Sequence, residues 1–369
     1  MSENEKKRVL VAMSGGVDSA VTALLLKERG YDCEGVTMVL SRAESSCLTS
    51  RDVADAKSVA DALGMPFRAR DFSEQFAAQV IEPFVRCYER GETPNPCIEC
   101  NCFLKFGALS ALAAGEGFDA VATGHYARVE EKDGRYCLKK ARDEKKDQSY
   151  VLYRLTQEQL SRVVFPLGEL TKDEVRAKAE AHGFANAHKK ESQDICFIPD
   201  GDYAGYIERV RGKTYPAGNF VTTDGRVLGV HKGMIHYTVG QRKGLGLALP
   251  EPYYVKEKDV ERNEVVLCPA GELPTGELIA REFNWVSVAP PPVGTELRAT
   301  VRTRYHQAEQ PATLVVSEGG KVKIVFDERT AVCAPGQAAV AYLDEYVLGG
   351  GVIDLVRVRR PQTEIFFRK

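Results

Sequence analysis

The sequence predicts an α/β domain built on a doubly wound parallel sheet, followed by a small central β-rich domain and a C-terminal β-barrel. Three observations support this fold class. Strands and helices alternate over the first two hundred residues, whereas beyond Tyr206 Gly and Pro become frequent and short strands replace long helices. A second β-rich block follows Pro274 and Gly276. We therefore expect domains at residues 1–205, 206–276 and 277–369.

The first domain begins with a buried strand and a helix. Residues 8–13 (RVLVAM) are almost uniformly apolar, and residues 17–29 carry apolar side chains at helical spacing before Gly30 ends the helix. Further strands are predicted at 35–40, 66–70 and 120–122, and further helices at 51–63, 73–90, 103–115, 156–161 and 171–182. Such sheets bind ligands at the carboxyl ends of their strands, so the loops at 14–19 and 123–126 should reach one crevice.

The remainder of the chain is predicted to be β-structure. Turn residues separate short alternating segments, a pattern typical of small barrels. The expected strands are 219–222, 226–230, 253–258 and 264–267 in the central domain, and 296–305, 312–316, 321–326, 338–342 and 347–354 in the barrel.

Composition restricts the class of protein. A hydrophobic content of 44% and a charged content of 28% are typical of a globular protein with a sizeable core. We expect no membrane span, no signal peptide and a cytoplasmic location, because the apolar runs are short and the N-terminus is polar. The net charge of −2 leaves RNA binding to a local patch. Ten cysteines in such a protein favour thiol chemistry, metal binding or buried thiols, and we expect inert buried thiols at Cys33, Cys137, Cys268 and Cys333.

The loop at residues 14–19 (SGGVDS) joins the first strand to the first helix. Gly15 and Gly16 allow close approach of a ligand, and the helix N-terminus favours an anion. Ser14 and Ser19 supply hydroxyls, and Asp18 is a candidate ligand for magnesium. The spacing lacks the lysine of the Walker pattern, so this is a different phosphate-binding loop. The alternative is an ordinary Gly-Gly turn.

Residues 93–101 (TPNPCIECN) form the second informative segment. Its two prolines predict an extended, non-helical loop that presents Cys97 and Cys100, and a third thiol, Cys196, follows far along the chain. Three interpretations remain open: a zinc site with Cys102 as a further candidate ligand, an iron–sulfur site, and thiol chemistry in which one cysteine carries sulfur and another resolves it.

Taken in order, these segments resemble a known family. SGGVDS resembles the PP-loop of ATP pyrophosphatases. Together with TPNPCIECN, ATGHY (122–126), KDQSY (146–150), the Cys196 segment at 192–197 and GQRKGL (240–245), it resembles the tRNA-specific 2-thiouridylases (MnmA/TrmU family) over almost the whole chain. The resemblance implies ATP-dependent 2-thiolation of the tRNA wobble uridine, with adenylation of uracil O2, pyrophosphate release and sulfur transfer. It also implies a sulfur-relay or cysteine-desulfurase donor protein, and we expect a monomer.

The resemblance assigns roles to individual residues. Cys196 would carry the persulfide, and Cys100 would free the sulfur and leave a transient Cys100–Cys196 disulfide. The ATP site would comprise Ala12, Met13, Ser14, Gly15, Gly16, Val17, Asp18, Ser19, Met38 and Gly124. Asn95, Pro96 and Cys97 would contact the target base. The residues expected to face tRNA are His125, Asp147, Gln148, Ser149, Arg304, Tyr305 and Gln337. Arg298, Arg302 and His306 extend the basic stretch at 298–306, where strand spacing places Arg302 and Arg304 on one face.

Position 97 departs from the family pattern, since many members carry Asp there. With Cys97, Cys100 and Cys196 converging, a [4Fe–4S] cluster held by these three thiols becomes an alternative to the persulfide–disulfide route. Both routes use ATP and Mg²⁺. Two other functions stay open: a different PP-loop ligase, and a metal-stabilised RNA-binding protein without catalytic activity.

Overall fold

The computed structural model describes residues 6–41, 50–189, 195–273, 276–328 and 333–358, without the side chains of 355, 357 and 358. Two sequence predictions fall partly outside these residues. Residues 192–194 of the Cys196 segment and Pro274 of the domain boundary are not among those described.

The first domain is a five-stranded parallel sheet in the order β3-β2-β1-β4-β7, as the predicted doubly wound fold requires. The central strand is apolar because helices cover both faces: Val9, Leu10 and Val11 are fully buried. The elements are β1 (Arg8–Ala12), α1 (Val17–Glu28), β2 (Asp32–Val39), α2 (Ser50–Ala62), β3 (Phe67–Asp71), α3 (Ser73–Phe76, Ala77–Ile81 and Glu82–Glu89 in succession), α4 (Pro96–Gly115), β4 (Ala120–Ala122), β5 (Arg128–Lys132), β6 (Arg135–Lys139), α5 (Gln157–Ser161), β7 (Val163–Val164) and α6 (Lys172–Ala181).

The helix α4 corrects the prediction of an extended cysteine loop. It begins at Pro96, so Cys97 and Cys100 lie in its first turns rather than in a loop before residue 103. The reason is local. Proline suits the first helical position, where no N–H is needed, and the Asn95 side chain caps the helix by accepting a hydrogen bond from the Cys97 N–H at 3.2 Å. Wider π-type turns follow at Cys100–Ala108.

By length and composition alone, α4 is also apolar enough to cross a membrane, which the sequence analysis did not expect of any segment. This is weak evidence, because core helices pass the same test. In the structure 39% of this apolar stretch is buried, and Leu104, Phe106 and Leu109 are the almost fully buried residues through which it packs against the sheet and the barrel.

A helix that the sequence analysis missed, α7 (Tyr203–Arg211), leads into the central domain. Gly212 ends it in the left-handed conformation (φ 62°), for which glycine is suited. The central domain is a four-stranded sheet in the order β10-β11-β8-β9. Its strands are β8 (Gly218–Thr222), β9 (Val227–His231), β10 (Tyr253–Asp259) and β11 (Glu264–Pro269).

The C-terminal domain is a closed six-stranded barrel, as predicted. It closes because β12, a strand that the sequence analysis did not identify, pairs with both β15 and β17. The strands are β12 (Gly276–Trp285), β13 (Glu296–Arg302), β14 (Gln310–Val316), β15 (Val322–Phe326), β16 (Ala338–Leu343) and β17 (Tyr346–Val358).

The barrel and the first domain share a core. The hairpin β5–β6, also missed from sequence, joins the barrel sheet where Lys139 pairs with Tyr346. The Tyr150 hydroxyl donates to the Ala338 carbonyl at 2.8 Å, and one hydrophobic cluster contains Ile98 and Phe106 of α4 together with barrel residues. The helix that carries the thiols is therefore packed directly against the barrel.

Candidate active site

The loop at 14–19 lies at the carboxyl end of β1 and is ordered by its own hydroxyls. The Ser14 N–H donates to Ser19 Oγ at 3.2 Å, and Ser19 Oγ donates to the Gly16 carbonyl at 3.0 Å. Gly15 has φ +72°, and a side chain there would collide with the Asp52 backbone at the start of α2. The loop thus needs glycine at this position for both reasons.

The loop at 123–126 reaches the same crevice, as predicted. A Cβ on Gly124 would lie 3.0 Å from the Asp18 Cβ, so the two loops are in close backbone contact. The Tyr126 hydroxyl donates to Asp18 Oδ1 at 2.7 Å. Met38, near the end of β2, is buried in the core cluster that also contains Phe197.

Asp18 has a cationic partner that the sequence analysis missed. Lys172, the first residue of α6, places Nζ 2.7 and 2.8 Å from the two carboxylate oxygens of Asp18. The sequence contains one weak indication of this partner. A lysine in the first turn of a helix opposes the helix dipole, which indicates that a tertiary partner holds it there.

A second lysine holds the loop from its other side. Lys189 Nζ lies 2.6 Å from carboxylate oxygens of both Asp52 and Asp55 and 3.3 Å from the Gly15 carbonyl. The Asn186 amide donates to the same carbonyl at 3.1 Å. These contacts fix Gly15 against α2, and no local sequence pattern predicts them.

The three candidate thiols lie close enough to influence one another. Burial raises the pKa of Cys100 to about 11; the neighbouring Lys105 opposes this rise, and the charges of Cys196 and Cys97 add to it. Cys97 and Cys196 are exposed, whereas Cys100 is half-buried. Cys33, Cys137, Cys268 and Cys333 are buried, as expected.

Cys196 is positioned by the aromatic residue that follows it. The Phe197 ring packs edge-on against Phe76 and Phe84 of α3, with centroid distances of 5.5 and 5.4 Å. This anchor sets Cys196 beside α4 although the two lie far apart in sequence. Within the part of the chain that is described, no group of three or more His, Cys, Asp and Glu side chains is arranged to hold a metal ion.

A turn of the barrel holds the segment before Cys97. The Gln337 amide donates to the carbonyls of Thr93 and Pro94 at 2.9 and 3.2 Å, and the Thr93 N–H donates to the Pro335 carbonyl at 2.8 Å. Gln337 was predicted to contact tRNA. That stays a prediction; in the structure the amide donates to the backbone of the cysteine segment.

A cavity of about 400 Å³ lies where α3, α4 and the barrel meet. Asn95 and Pro96, the expected base contacts, form part of its wall together with Glu99 and Phe103 of α4. Its volume is in the range of ligand pockets.

Two residues predicted to face tRNA through the 147–149 loop are buried instead. Asp147 accepts hydrogen bonds from the Ala141 N–H at 3.1 Å, the Ser149 hydroxyl at 2.9 Å and Arg302 at 3.0 Å, and Ser149 is fully buried. Gln148 accepts from the Tyr126 N–H at 3.0 Å. The loop therefore joins the first domain to the barrel, because its side chains accept hydrogen bonds from Ala141 and Tyr126 on one side and from Arg302 on the other.

His125 is likewise an internal residue. It is buried between the rings of Phe106 and Phe165, and its Nδ1 lies 2.7 Å from the Thr123 hydroxyl. Burial lowers its pKa well below the ordinary value, so the ring is neutral. Direct contact of this side chain with tRNA, as predicted, would require it to leave the core.

The basic stretch at 298–306 does not present one charged face. Arg302 pairs with Asp147 and Glu309, whereas Arg304 lies exposed in the turn after β13, so the prediction of a shared face is wrong. Arg298 is exposed but pairs with Asp327. Tyr305 is half-buried between Tyr150 and the exposed His306.

Comparisons with known proteins follow the same three domains. Residues 7–200 match a family model described as "tRNA methyl transferase HUP domain", 205–269 one described as "tRNA methyl transferase PRC-barrel domain" and 275–353 one described as "Aminomethyltransferase beta-barrel domain". The chain is 48% identical over 359 residues to the tRNA-specific 2-thiouridylase MnmA of Carboxydothermus hydrogenoformans, covering 95% of this chain and 98% of that protein. It is 46% identical to the protein of the same name from Geotalea uraniireducens, covering 96% of each.

Solved structures resemble the chain more distantly. The U34-tRNA thiolase NcsA from Methanococcus maripaludis with its [4Fe-4S] cluster is 17% identical, with a TM-score of 0.36 over 56% of this chain and 68% of that chain. A 4-thiouridine synthetase–RNA complex with bound ATP is 17% identical, with a TM-score of 0.32 over 56% of this chain and 50% of that chain.

Proposed function

Because this chain belongs to the tRNA-specific 2-thiouridylase family of enzymes, we propose that it converts the wobble uridine of tRNA to 2-thiouridine through an adenylated base and a protein-bound persulfide. The observation that carries the proposal is the placement of Cys100 against the same core cluster that holds Phe197, the residue after Cys196. The charge of Cys196 is accordingly among those that raise the pKa of Cys100. A thiol pair brought together from distant segments, near a phosphate-type loop, fits a sulfur-transfer enzyme that uses ATP.

The first step activates a poor leaving group. Uracil O2 attacks the α-phosphorus of ATP, the bond from that phosphorus to the β-phosphate oxygen breaks, and pyrophosphate leaves with the electron pair while the N3 proton passes to solvent. The loop of Ser14, Gly15, Gly16 and Ser19 would bind the phosphates through backbone amides at the helix N-terminus. In the structure the Ser14 amide and the Ser19 hydroxyl are engaged within the loop, which orders it. Asp18 is a carboxylate at the edge of this loop, which suits it to hold Mg²⁺; the ion would neutralise phosphate charge.

The second step moves sulfur. The terminal sulfur of a Cys196 persulfide attacks C2 of the adenylated uracil. The Cys100 thiolate then attacks Cys196 Sγ and breaks the S–S bond, so the electron pair goes to the sulfur on C2. The C2–O bond to AMP breaks as the C2=S bond forms. The Cys100–Cys196 disulfide left behind is reduced by an external dithiol.

The [4Fe–4S] alternative stays a prediction. Among the residues that are described, no group of three or more His, Cys, Asp and Glu side chains is arranged to hold a metal ion, so no step is assigned to a cluster. We also propose that tRNA and a persulfide-donating protein are the partners, that the enzyme acts as a monomer and that it works in the cytoplasm. Asn95, Pro96 and Cys97 stay our proposed contacts of the target base; the cavity that Asn95 and Pro96 border is not assigned to the base, because neither Cys100, Cys196 nor the loop at 14–19 lines it.

The decisive experiment combines the purified chain with ATP, a persulfide donor and tRNA from cells that lack 2-thiouridine. The proposal requires pyrophosphate release that depends on tRNA, and one 2-thiouridine at the wobble position per AMP formed. Tight tRNA binding without pyrophosphate release would favour the RNA-binding alternative. Release that depends on an amino acid rather than tRNA would favour another PP-loop ligase.

The raised pKa of Cys100 predicts a pH dependence of sulfur transfer. With a pKa of about 11 the thiol is protonated at neutral pH, and its thiolate fraction grows roughly tenfold per pH unit below that value. We expect the single-turnover rate of 2-thiouridine formation by persulfide-loaded enzyme to rise about tenfold from pH 7 to 8. Lys105→Met, which removes the charge that lowers this pKa, should slow the reaction further at pH 8. A flat profile would contradict the role of Cys100.

The contact of Gln337 with the cysteine segment predicts a defect in turnover rather than in RNA affinity. Gln337→Ala removes both amide contacts to the Thr93 and Pro94 carbonyls, so the start of α4 becomes less well positioned. We expect kcat to fall about tenfold with the Kd for tRNA unchanged. Leu343→Gln, at an exposed barrel position, is the control. A weaker tRNA Kd with normal kcat would support the original prediction of an RNA contact.

A further inference from the structure

The segment at 240–246 (GQRKGLG) lies in the central domain and belongs to neither the loop at 14–19 nor the thiol pair. Arg242 and Lys243, adjacent in this segment, are both exposed. Neither side chain has an ion-pair partner among the residues that the structure describes. Arg298 and Arg302 of the barrel, by contrast, are already paired with carboxylates. The positive charge at 242–243 is therefore available to an anion from outside the chain.

The segment is held in place by strand β10 and by its own polar groups. The Gly240 N–H donates to the Val255 carbonyl of β10 at 2.8 Å, and the Val255 N–H donates to the Gln241 carbonyl at 2.9 Å. The Gln241 side chain accepts from the Thr238 N–H and donates to the Lys243 carbonyl, each at 3.0 Å. The two cations are therefore presented by a turn that is already ordered, and such a turn loses little conformational entropy when a ligand binds.

The turn also supplies backbone donors. Gly244 has φ +77° and Gly246 has φ +71°, the left-handed region that glycine favours. Within the described part of the chain, no acceptor meets the N–H groups of residues 242, 243 and 244. Consecutive N–H groups beside a left-handed residue are a recurrent anion-binding arrangement in proteins. An arginine fork, an ammonium and these amides together suit a phosphate group.

Packed residues connect this turn to the segment before Cys97. Leu245 is 9% exposed and packs in a hydrophobic cluster of the central domain that also includes Ala334 of the barrel. Ala334 begins the barrel turn that ends at Gln337, whose amide donates to the Thr93 carbonyl at 2.9 Å. The turn at 240–246 is thus fixed relative to the start of α4, where we place the target base.

We propose that the segment at 240–246 binds a backbone phosphate of tRNA through Arg242, Lys243 and the amides of residues 242–244. The inference rests on the proposed function, because it takes tRNA to be the substrate. Contacts with phosphates carry no base sequence but fix the position of the nucleic acid on the protein. A local site of this kind is needed because the net charge of −2 gives the chain no general attraction for RNA. The segment therefore acts on the affinity for tRNA and leaves adenylation and sulfur transfer unchanged.

The salt dependence of tRNA binding by the full-length chain tests this assignment. Arg242→Gln combined with Lys243→Gln removes both charges from exposed positions, so the urea midpoint of unfolding should not change. We expect the Kd for tRNA lacking 2-thiouridine to rise about tenfold to a hundredfold at low salt, and the slope of log Kd against log salt to fall by about 1.5. The Kd for ATP should be unchanged, and the single-turnover rate at saturating tRNA should stay within about twofold.

Arg209→Gln combined with Arg262→Gln is the matched control, because it removes two exposed charges elsewhere in residues 205–269. Its Kd for tRNA should stay within about threefold of that of the unaltered chain. An equal loss in this control would mean that only the total charge matters, and would overturn the proposal. So would an unchanged Kd and salt slope in the variant at residues 242 and 243.

Two other ligands are tested with the same variant. Weaker binding of inorganic pyrophosphate with normal tRNA affinity would assign the turn to a small anion instead of RNA. Weaker binding of the persulfide-donating protein with normal tRNA affinity would assign it to that partner. Either result overturns the proposal. If the unaltered chain binds tRNA but forms no 2-thiouridine, the proposed function fails, whereas the salt slope still decides the role of this segment.

Discussion

Cys196→Ser should abolish 2-thiouridine formation while tRNA-dependent pyrophosphate release continues. The hydroxyl cannot carry a sulfane sulfur, whereas adenylation takes place at the loop of residues 14–19, outside the thiol pair. We expect thiolation to fall by at least about a thousandfold. Folding should be unaffected, since the Cys196 side chain is exposed and the change leaves the ring contacts of Phe197 with α3 in place. Thiolated nucleoside and released pyrophosphate are measured in the same reaction.

Two further variants test whether the loss of thiolation is specific to Cys196. Cys102→Ser changes a thiol of the same helix α4 that does not influence Cys100, so its activity should stay close to that of the unaltered chain. Cys97→Asp introduces the residue that many relatives carry and should retain activity if Cys196 carries a persulfide. An iron-containing preparation that loses iron and activity together on this change would overturn the persulfide route and favour a cluster.

Arg302→Met should destabilise the protein by about 3 kcal/mol or more, rather than weaken a phosphate contact. The substitution leaves the Asp147 carboxylate, whose side chain is 1% exposed, without its cationic partner. It also removes one cationic partner of Glu309, which keeps Lys140, and the guanidinium that lies 4.9 Å from the Tyr342 ring centroid. Breaking a buried pair from one side is unfavourable because the remaining charge cannot be solvated. The urea midpoint of unfolding reports the loss.

Arg298→Met is the matched control, because Arg298 lies on the same strand, β13, and its pair with Asp327 is exposed. Its effect on the urea midpoint should be far smaller, since water solvates the remaining carboxylate. The double change Asp147→Asn with Arg302→Met should recover part of the lost stability. Equal shifts for Arg298→Met and Arg302→Met would show that the buried pair has no special role.

Sequence reasoning worked best where the signal is local. The unbroken apolar run of β1, the glycines of the following loop and the periodicity of α1 predicted a strand–loop–helix unit, and the alternation that follows predicted the parallel sheet. The start of α4 was also readable in principle. Asn95 and Pro96 form a cap and a first helical residue, but the two prolines were interpreted as an extended segment instead.

The sequence predicted a C-terminal β-barrel, but it did not predict every strand of the barrel sheet. The hairpin β5–β6 is far from the barrel strands in sequence, and nothing in its residues specifies which sheet edge it joins. A hairpin pairs with whichever sheet edge lies next to it in the folded protein, and the fold of the whole chain determines which edge that is.

By itself, the sequence determined the fold class, the glycine loop, the three thiols of the site and the family to which the chain belongs, because each depends on residue type and spacing within short segments. The tertiary structure decided which polar groups meet. In it, Lys172 contacts Asp18 and Gln337 donates to the cysteine segment. Arg302 pairs with the buried Asp147 and does not face solvent. Water solvates a charged side chain at any exposed position, so the sequence alone does not indicate its partner. When the side chain is buried it loses that water, and an opposite charge within reach then stabilises it.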